Sequence, residues 1–136
     1  KMSKSYGNTI NIFETDKKLR KRIMSIQTDS TPMEDPKDPD QDLVYHLFKL
    51  MGTSEQTAEL RERYLKGGMG YGHAKQALFE LIVEKFGEER EKYQYFPQHT
   101  EVIDDKLQEG SQKAGVVAYE VLSRVREKLG YKKFAY

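Results

Sequence analysis

From Thr100 to Gly130 the chain repeats apolar residues at helical spacing, through Val102, Ile103, Leu107, Ala114, Val117, Ala118, Val121, Leu122, Val125 and Leu129. A pattern that returns to one side every three or four residues does not fit a strand, whose side chains alternate between faces. A second run of the same period starts at Gly72 and passes through Ala74, Ala77, Leu78, Leu81, Ile82, Lys85, Phe86, Arg90 and Tyr93. Pro97 ends it, because proline removes a donor and clashes with the preceding turn. Upstream, Thr15 or Asp16 suits an N-cap for a helix carrying Leu19, Ile23 and Ile26. Leu43, Leu47, Phe48, Leu50 and Met51 form the next apolar face, ended by Gly52. A further helix opens at Ser54 with Gln56, Thr57 and Glu59, carries Leu60, Tyr64 and Leu65, and stops at Gly67-Gly68. Only Thr9 to Phe13 is β-prone, and it is expected as one strand or an extended segment. The expected class is all-α, a helical bundle whose apolar stripes pack together.

At 136 residues the chain is one domain's worth of material. Nine Tyr and six Phe argue against wholesale disorder despite a charged content of 33%. The absence of cysteine excludes disulfide frameworks and thiolate metal sites. No apolar run approaches the ~18 residues a membrane span requires, so no membrane partner and a cytoplasmic location are expected. Charge is segregated: residues 1–25 hold seven Lys or Arg against two acids, and residues 124–136 hold five against one. Between the first basic segment and the next helix, residues 26–42 hold six acids against one lysine and three of the four prolines, which reads as an ordered or semi-ordered connecting loop.

Most candidate chemistry has a plainer reading. His46, His73 and His99 lie far apart and lack ligand spacing, so no metal site is expected. Glu88-Glu89 and Asp104-Asp105 read as solvated helix faces. The GGMGYG run lacks the GxxxxGK[ST] spacing and has no strand leading into it. It therefore reads as a helix–helix turn in which glycine supplies positive φ. The aromatics Phe79, Phe86, Tyr93 and Tyr119 are expected in the core rather than on an RNA-stacking surface.

The opening pentapeptide, Lys1-Met2-Ser3-Lys4-Ser5, differs in kind. Its small and hydroxyl residues let it bend over a bound group, and its two ammonium heads can meet a highly charged anion. Such a loop suits clamping of a triphosphate, where lysines neutralise charge on a departing pyrophosphate. Standing alone, it would read as an exposed Lys/Ser-rich end.

It does not stand alone. KMSKS-x-G-N resembles the signature loop of class I aminoacyl-tRNA synthetases. RKRIMSIQTDS, GYGHAKQALFELIVEKFGEEREKYQYF and LQEGSQKAGVVAYEVLSRVREKLGY follow in an order that resembles the C-terminal part of the bacterial-type tryptophanyl-tRNA synthetase family. The resemblance covers essentially the whole chain and is weakest at residues 32–42. A tyrosyl-tRNA synthetase relative and a free-standing helical RNA-binding module are the alternatives. The tyrosyl family usually adds an RNA-binding module after its helical domain.

The resemblance implies activation of tryptophan with ATP and Mg²⁺, then transfer to tRNA(Trp). By position, Lys4 is the first choice for the pyrophosphate contact and Lys1 the other catalytic cation. Ser3 and Ser5 would donate to phosphate oxygens, with Met2 orienting the loop. Residues 1–14 are expected as the catalytic loop and linker, and 15–136 as a helical anticodon-binding domain. The candidate tRNA contacts are Lys66, Tyr71, His73, Lys75, Lys113, Arg124, Arg126 and Lys128, with Lys132 and Lys133 in the tail. No HIGH-like element or alternating βα pattern occurs in the sequence, so the chain alone is expected to make no adenylate. A start at Lys1 inside such a loop is expected of an engineered boundary or of cleavage at a loop tip. Without its partner domain, residues 1–14 are expected to be mobile and the chain monomeric, whereas the full-length family member is expected to be a homodimer.

Overall fold

The computed structural model describes residues 3–131. Six α-helices account for most of them: α1 Asp16–Met24, α2 Leu43–Met51, α3 Ser54–Lys66, α4 Tyr71–Lys85, α5 Gly87–Tyr95 and α6 Thr100–Lys128. Short 3₁₀ turns occur at Lys4–Tyr6, Pro39–Gln41 and Phe96–Gln98, and no strand occurs among the described residues. The all-α expectation holds. The chain divides into two compact units, residues 1–91 and 92–136, with the division falling inside α5.

The first unit is built on α4, against which α1 and α2 both pack, while α3 packs on α2. Leu19 and Ile23 of α1, Val44, Tyr45 and Phe48 of α2, Leu60 and Tyr64 of α3, and Ala74, Leu78, Leu81 and Ile82 of α4 form one buried cluster. The helix ends are specified locally. The Asp42 carboxylate caps α2, accepting from the amides of Val44 at 2.6 Å and Tyr45 at 3.0 Å. Thr53 and Gln56 close a capping box on α3, with Gln56 N donating to Thr53 Oγ1 at 3.2 Å and Thr53 N to Gln56 Oε1 at 2.9 Å. Gly67 ends α3 at φ +76°, and a Cβ there would lie 2.5 Å from the Glu34 carbonyl oxygen.

Several details depart from the expectations. The α2 face is turned: Val44, Tyr45 and Phe48 are buried, whereas Leu43 and Leu50 are exposed, Leu50 by 79%. The run from Gly72 is two helices, broken at Phe86, where the backbone leaves helical φ and Gly87 follows. Thr9–Phe13 is not a strand. Asn11 turns the chain instead, its side chain accepting from Phe13 N at 3.0 Å and its carbonyl from Glu14 N at 3.3 Å. Ile10 and Ile12 pack partly buried against the core. Phe79 and Phe86 are half-buried against the core as expected, but Tyr93 and Tyr119 are exposed.

The acidic loop is ordered around a buried cation. Lys37 is only 3% exposed. Its ammonium donates to the carbonyls of Pro32 at 2.7 Å and Asp35 at 3.0 Å, and its amide donates to the Tyr64 carbonyl at 2.8 Å. Outside, Arg61 forks onto Asp40 through bonds of 2.9 and 2.7 Å, which hold that carboxyl below its usual range.

In the second unit α6 is a long helix with no buried residue. Lys106 and Lys113 both donate to Glu109, at 2.9 and 2.6 Å. The helix ends at Gly130, φ +75°. No helix among the described residues is long and apolar enough to cross a membrane.

Candidate catalytic loop and nucleic-acid interface

The first site is the head of the chain. Lys1 and Met2 lie outside the described residues, as do Lys132 and Lys133. From Ser3 onward the loop is a closed turn. Ser3 N donates to Asn8 Oδ1 at 2.8 Å, and Tyr6 N donates to Ser3 O at 3.2 Å across the 3₁₀ turn that contains Lys4. The hydroxyls of Ser3 and Ser5 share a hydrogen bond of 2.7 Å. Gly7 leaves the turn at φ +63°, the left-handed region that glycine enters without a Cβ penalty.

Two arginines hold this segment to the helices. Arg22 of α1 donates through Nη1 to the Gly7 carbonyl at 2.9 Å. Arg90 of α5 is nearly buried and donates to the Ile12 carbonyl and the Asp16 carboxylate. In the sequence Gly7 and Asn8 stand out only as the end of KMSKS-x-G-N, and Arg90 only as a member of the helical run from Gly72, while nothing marks Arg22 for this site. The glycine-asparagine pair closing KMSKS-x-G-N was a usable signal, since Asn side chains often bond nearby backbone in turns. The arginines carried none, because their acceptors are mainly backbone carbonyls.

The second site surrounds the α3–α4 turn. Lys66 at the end of α3 and His73 in the first turn of α4 are exposed, and with Arg63 and Gly67–Met69 they line a shallow concavity. The other two candidates face inward. Tyr71 donates its hydroxyl to Asp29 Oδ1 at 2.7 Å, and the Lys37 ammonium sits 5.4 Å from its ring centre. Burial, then this bond, pushes the Tyr71 hydroxyl up to about 12, while the Tyr71 hydroxyl and the Thr31 amide hold Asp29 below its usual range. Lys75 reaches the Met24 carbonyl at 3.3 Å, where its charge complements the C-terminal end of α1. Thus Lys66 and His73 present a polar surface, and Tyr71 and Lys75 tie the TDS segment and α1 to α4.

In the second unit Lys113, Arg124, Arg126 and Lys128 are all exposed along α6. Helical geometry places Lys113, Arg124 and Lys128 within about 60° of one another, with Arg126 on the far side. Lys113 is shared with Glu109. Among the described residues no three His, Cys, Asp or Glu side chains converge on a metal position, so they offer no site that fits Mg²⁺.

No protein-family model matches the chain. It is 45% identical over 130 residues to the tryptophan–tRNA ligase of Fusobacterium nucleatum, covering 96% of this chain and 40% of the relative. The same enzyme of Campylobacter jejuni is also 45% identical over 130 residues, with 41% of its length covered. Among solved structures, tryptophanyl-tRNA synthetase from Campylobacter jejuni, complexed with ADP and tryptophan, superposes with a TM-score of 0.92 at 45% identity. That match covers 96% of this chain and 41% of the other. The chain therefore spans about 40% of the length of the curated relatives it matches. With its closed Ser3–Asn8 turn and its helical order, the chain is similar over nearly its whole length to part of tryptophan–tRNA ligases, a match that fits their C-terminal region.

Proposed function

We propose that the protein to which this chain belongs activates tryptophan with ATP and transfers it to tRNA(Trp) in the cytoplasm. The observation that carries this reading is the closed Ser3–Asn8 turn at the head of the helical unit, in a chain 45% identical over 96% of its length to a tryptophan–tRNA ligase. In the activation step a carboxylate oxygen of tryptophan bonds to the α-phosphorus of ATP, and the bond from that phosphorus to the β-bridging oxygen breaks. Tryptophanyl-adenylate and pyrophosphate result. The protein's work is positioning and stabilising the charge that builds on the leaving group.

Lys4 and Lys1 supply that charge, and the Ser3 and Ser5 hydroxyls supply donors to phosphate oxygens. Mg²⁺ would add positive charge on the ATP phosphates. Residues 1–14 then act as the catalytic loop and linker, and residues 15–136 as the tRNA-facing part. Lys66 and His73 at the α3–α4 concavity, and Lys113, Arg124, Arg126 and Lys128 on α6, are the exposed tRNA contacts. Tyr71 and Lys75 support that surface from behind. The full-length protein is a homodimer in this reading.

The test is amino-acid-dependent ATP–pyrophosphate exchange by the full-length protein. Tryptophan supports exchange and tyrosine does not, and the 136-residue chain alone supports none. Exchange driven by tyrosine, or none with any amino acid, would overturn the reading.

A further inference from the structure

The Ser3–Asn8 turn is small, and Ser5 to Asn8 are exposed, so its orientation depends on what holds its ends. Its exit is Gly7, whose positive φ sets the direction in which the chain leaves the turn. The Gly7 carbonyl is taken by Arg22 Nη1 at 2.9 Å. Arg22 is exposed, but its neighbour Ile23 and Leu19 one turn earlier are fully buried, and α1 packs directly on α4. The guanidinium therefore reaches the loop from a fixed base. Arg90 fixes the same segment further along, at Ile12 and Asp16.

We propose that Arg22 is a positioning residue for the KMSKS loop, holding the Gly7 carbonyl so that helix α1 determines where Lys4 is presented. This rests on the reading of the loop as the pyrophosphate-stabilising element. It assigns to the basic face of α1 a role distinct from phosphate contact with RNA. Lys18 and Lys21 on the same helix are exposed and share that face's charge. Loss of charge alone should therefore be mimicked by either of them, while loss of the tie to Gly7 should not. A planar guanidinium donates along a fixed direction, which a lysine ammonium reproduces only in part.

The experiment compares the full-length protein with its Arg22→Met, Arg22→Lys and Lys18→Met variants, in the absence of tRNA. Single-turnover adenylate formation should slow roughly tenfold in Arg22→Met, the size expected for losing one charge-assisted hydrogen bond. Tryptophan affinity and thermal midpoint should not change. Arg22→Lys should recover part of the rate, and Lys18→Met should keep all of it. Hydrogen exchange at the Ser3 and Tyr6 amides should quicken in Arg22→Met only.

An equal loss of rate in Lys18→Met would overturn the proposal in favour of a general charge effect. Unchanged exchange at Ser3 and Tyr6 in Arg22→Met would overturn it whatever the activity. Should the wild-type protein form no adenylate, the functional reading falls by itself. The exchange comparison then still decides whether Arg22 holds the loop.

Discussion

The two units use the same sequence device to different ends. In residues 1–91 apolar residues at helical spacing on α1 to α4 meet one another and become fully buried. In residues 92–136 an equally regular stripe on α6, through Ile103, Leu107, Val117, Val121 and Val125, leaves every member exposed. The first unit fixes its helix ends with Asp42, a Thr53–Gln56 capping box and the Gly67 turn. His99 at the start of α6 makes no side-chain cap. Helical period thus reports that a face is apolar, and only contacts report that it is covered.

The largest test of this contrast is truncation on each side of it. Leu78→Ala should destabilise the protein by about 2–5 kcal/mol in urea unfolding, since Leu78 is fully buried. Leu107→Ala, at a position 65% exposed, should cost less than about 0.5 kcal/mol. Comparable losses at both would mean that α6 is covered in the intact protein.

A second comparison sits within the first unit. Gly67 and Gly68 share a φ of +76°, but only at Gly67 would a Cβ strike neighbouring backbone. Gly68→Ala should cost about 1 kcal/mol for the left-handed backbone, and Gly67→Ala roughly 3 kcal/mol or more. Equal costs would show that the Glu34–Pro36 segment yields easily and that the acidic loop is less fixed than its contacts imply.

The smallest effect concerns the Tyr71–Asp29 bond. Asp29 is held below the usual carboxylate range, so its contribution is present above the ordinary carboxylate value and is lost as pH falls through the lower folded value. Tyr71 is raised from 10.0 to about 12, so its contribution is intact below pH 10 and declines between about 10 and 12. Ultraviolet titration of Tyr71→Phe against wild type should lose one tyrosine ionising near 12. A lost ionisation near 10 instead would show that the hydroxyl is neither buried nor bonded to Asp29.

Much of this architecture is legible in the residues, and the misses have physical causes. The helices and the glycine turn follow from period and breakers. On α2, Leu43 and Leu50 are apolar yet lie off the side that Val44, Tyr45 and Phe48 turn toward α4, so apolar spacing alone does not give the buried face. The break at Phe86 had a signal in Gly87, which a continuous apolar pattern masked. Lys37 could not be found, since a lone lysine among acids suggests a surface charge and its acceptors are backbone carbonyls. At the candidate site, KMSKS and the α3–α4 turn were visible. Arg22 and Arg90 were not, because they act on carbonyls brought near only by folding.

Under the proposed function, Lys4 in its closed turn stabilises a departing pyrophosphate. The direct measurement is single-turnover tryptophanyl-adenylate formation by the full-length protein carrying Lys4→Gln, with tryptophan affinity measured in parallel. A fall in rate of about 100-fold or more is expected, as for loss of one preorganised charge-stabilising group, with tryptophan affinity unchanged. An undiminished rate, or a loss matched by equally weakened tryptophan binding, would contradict it.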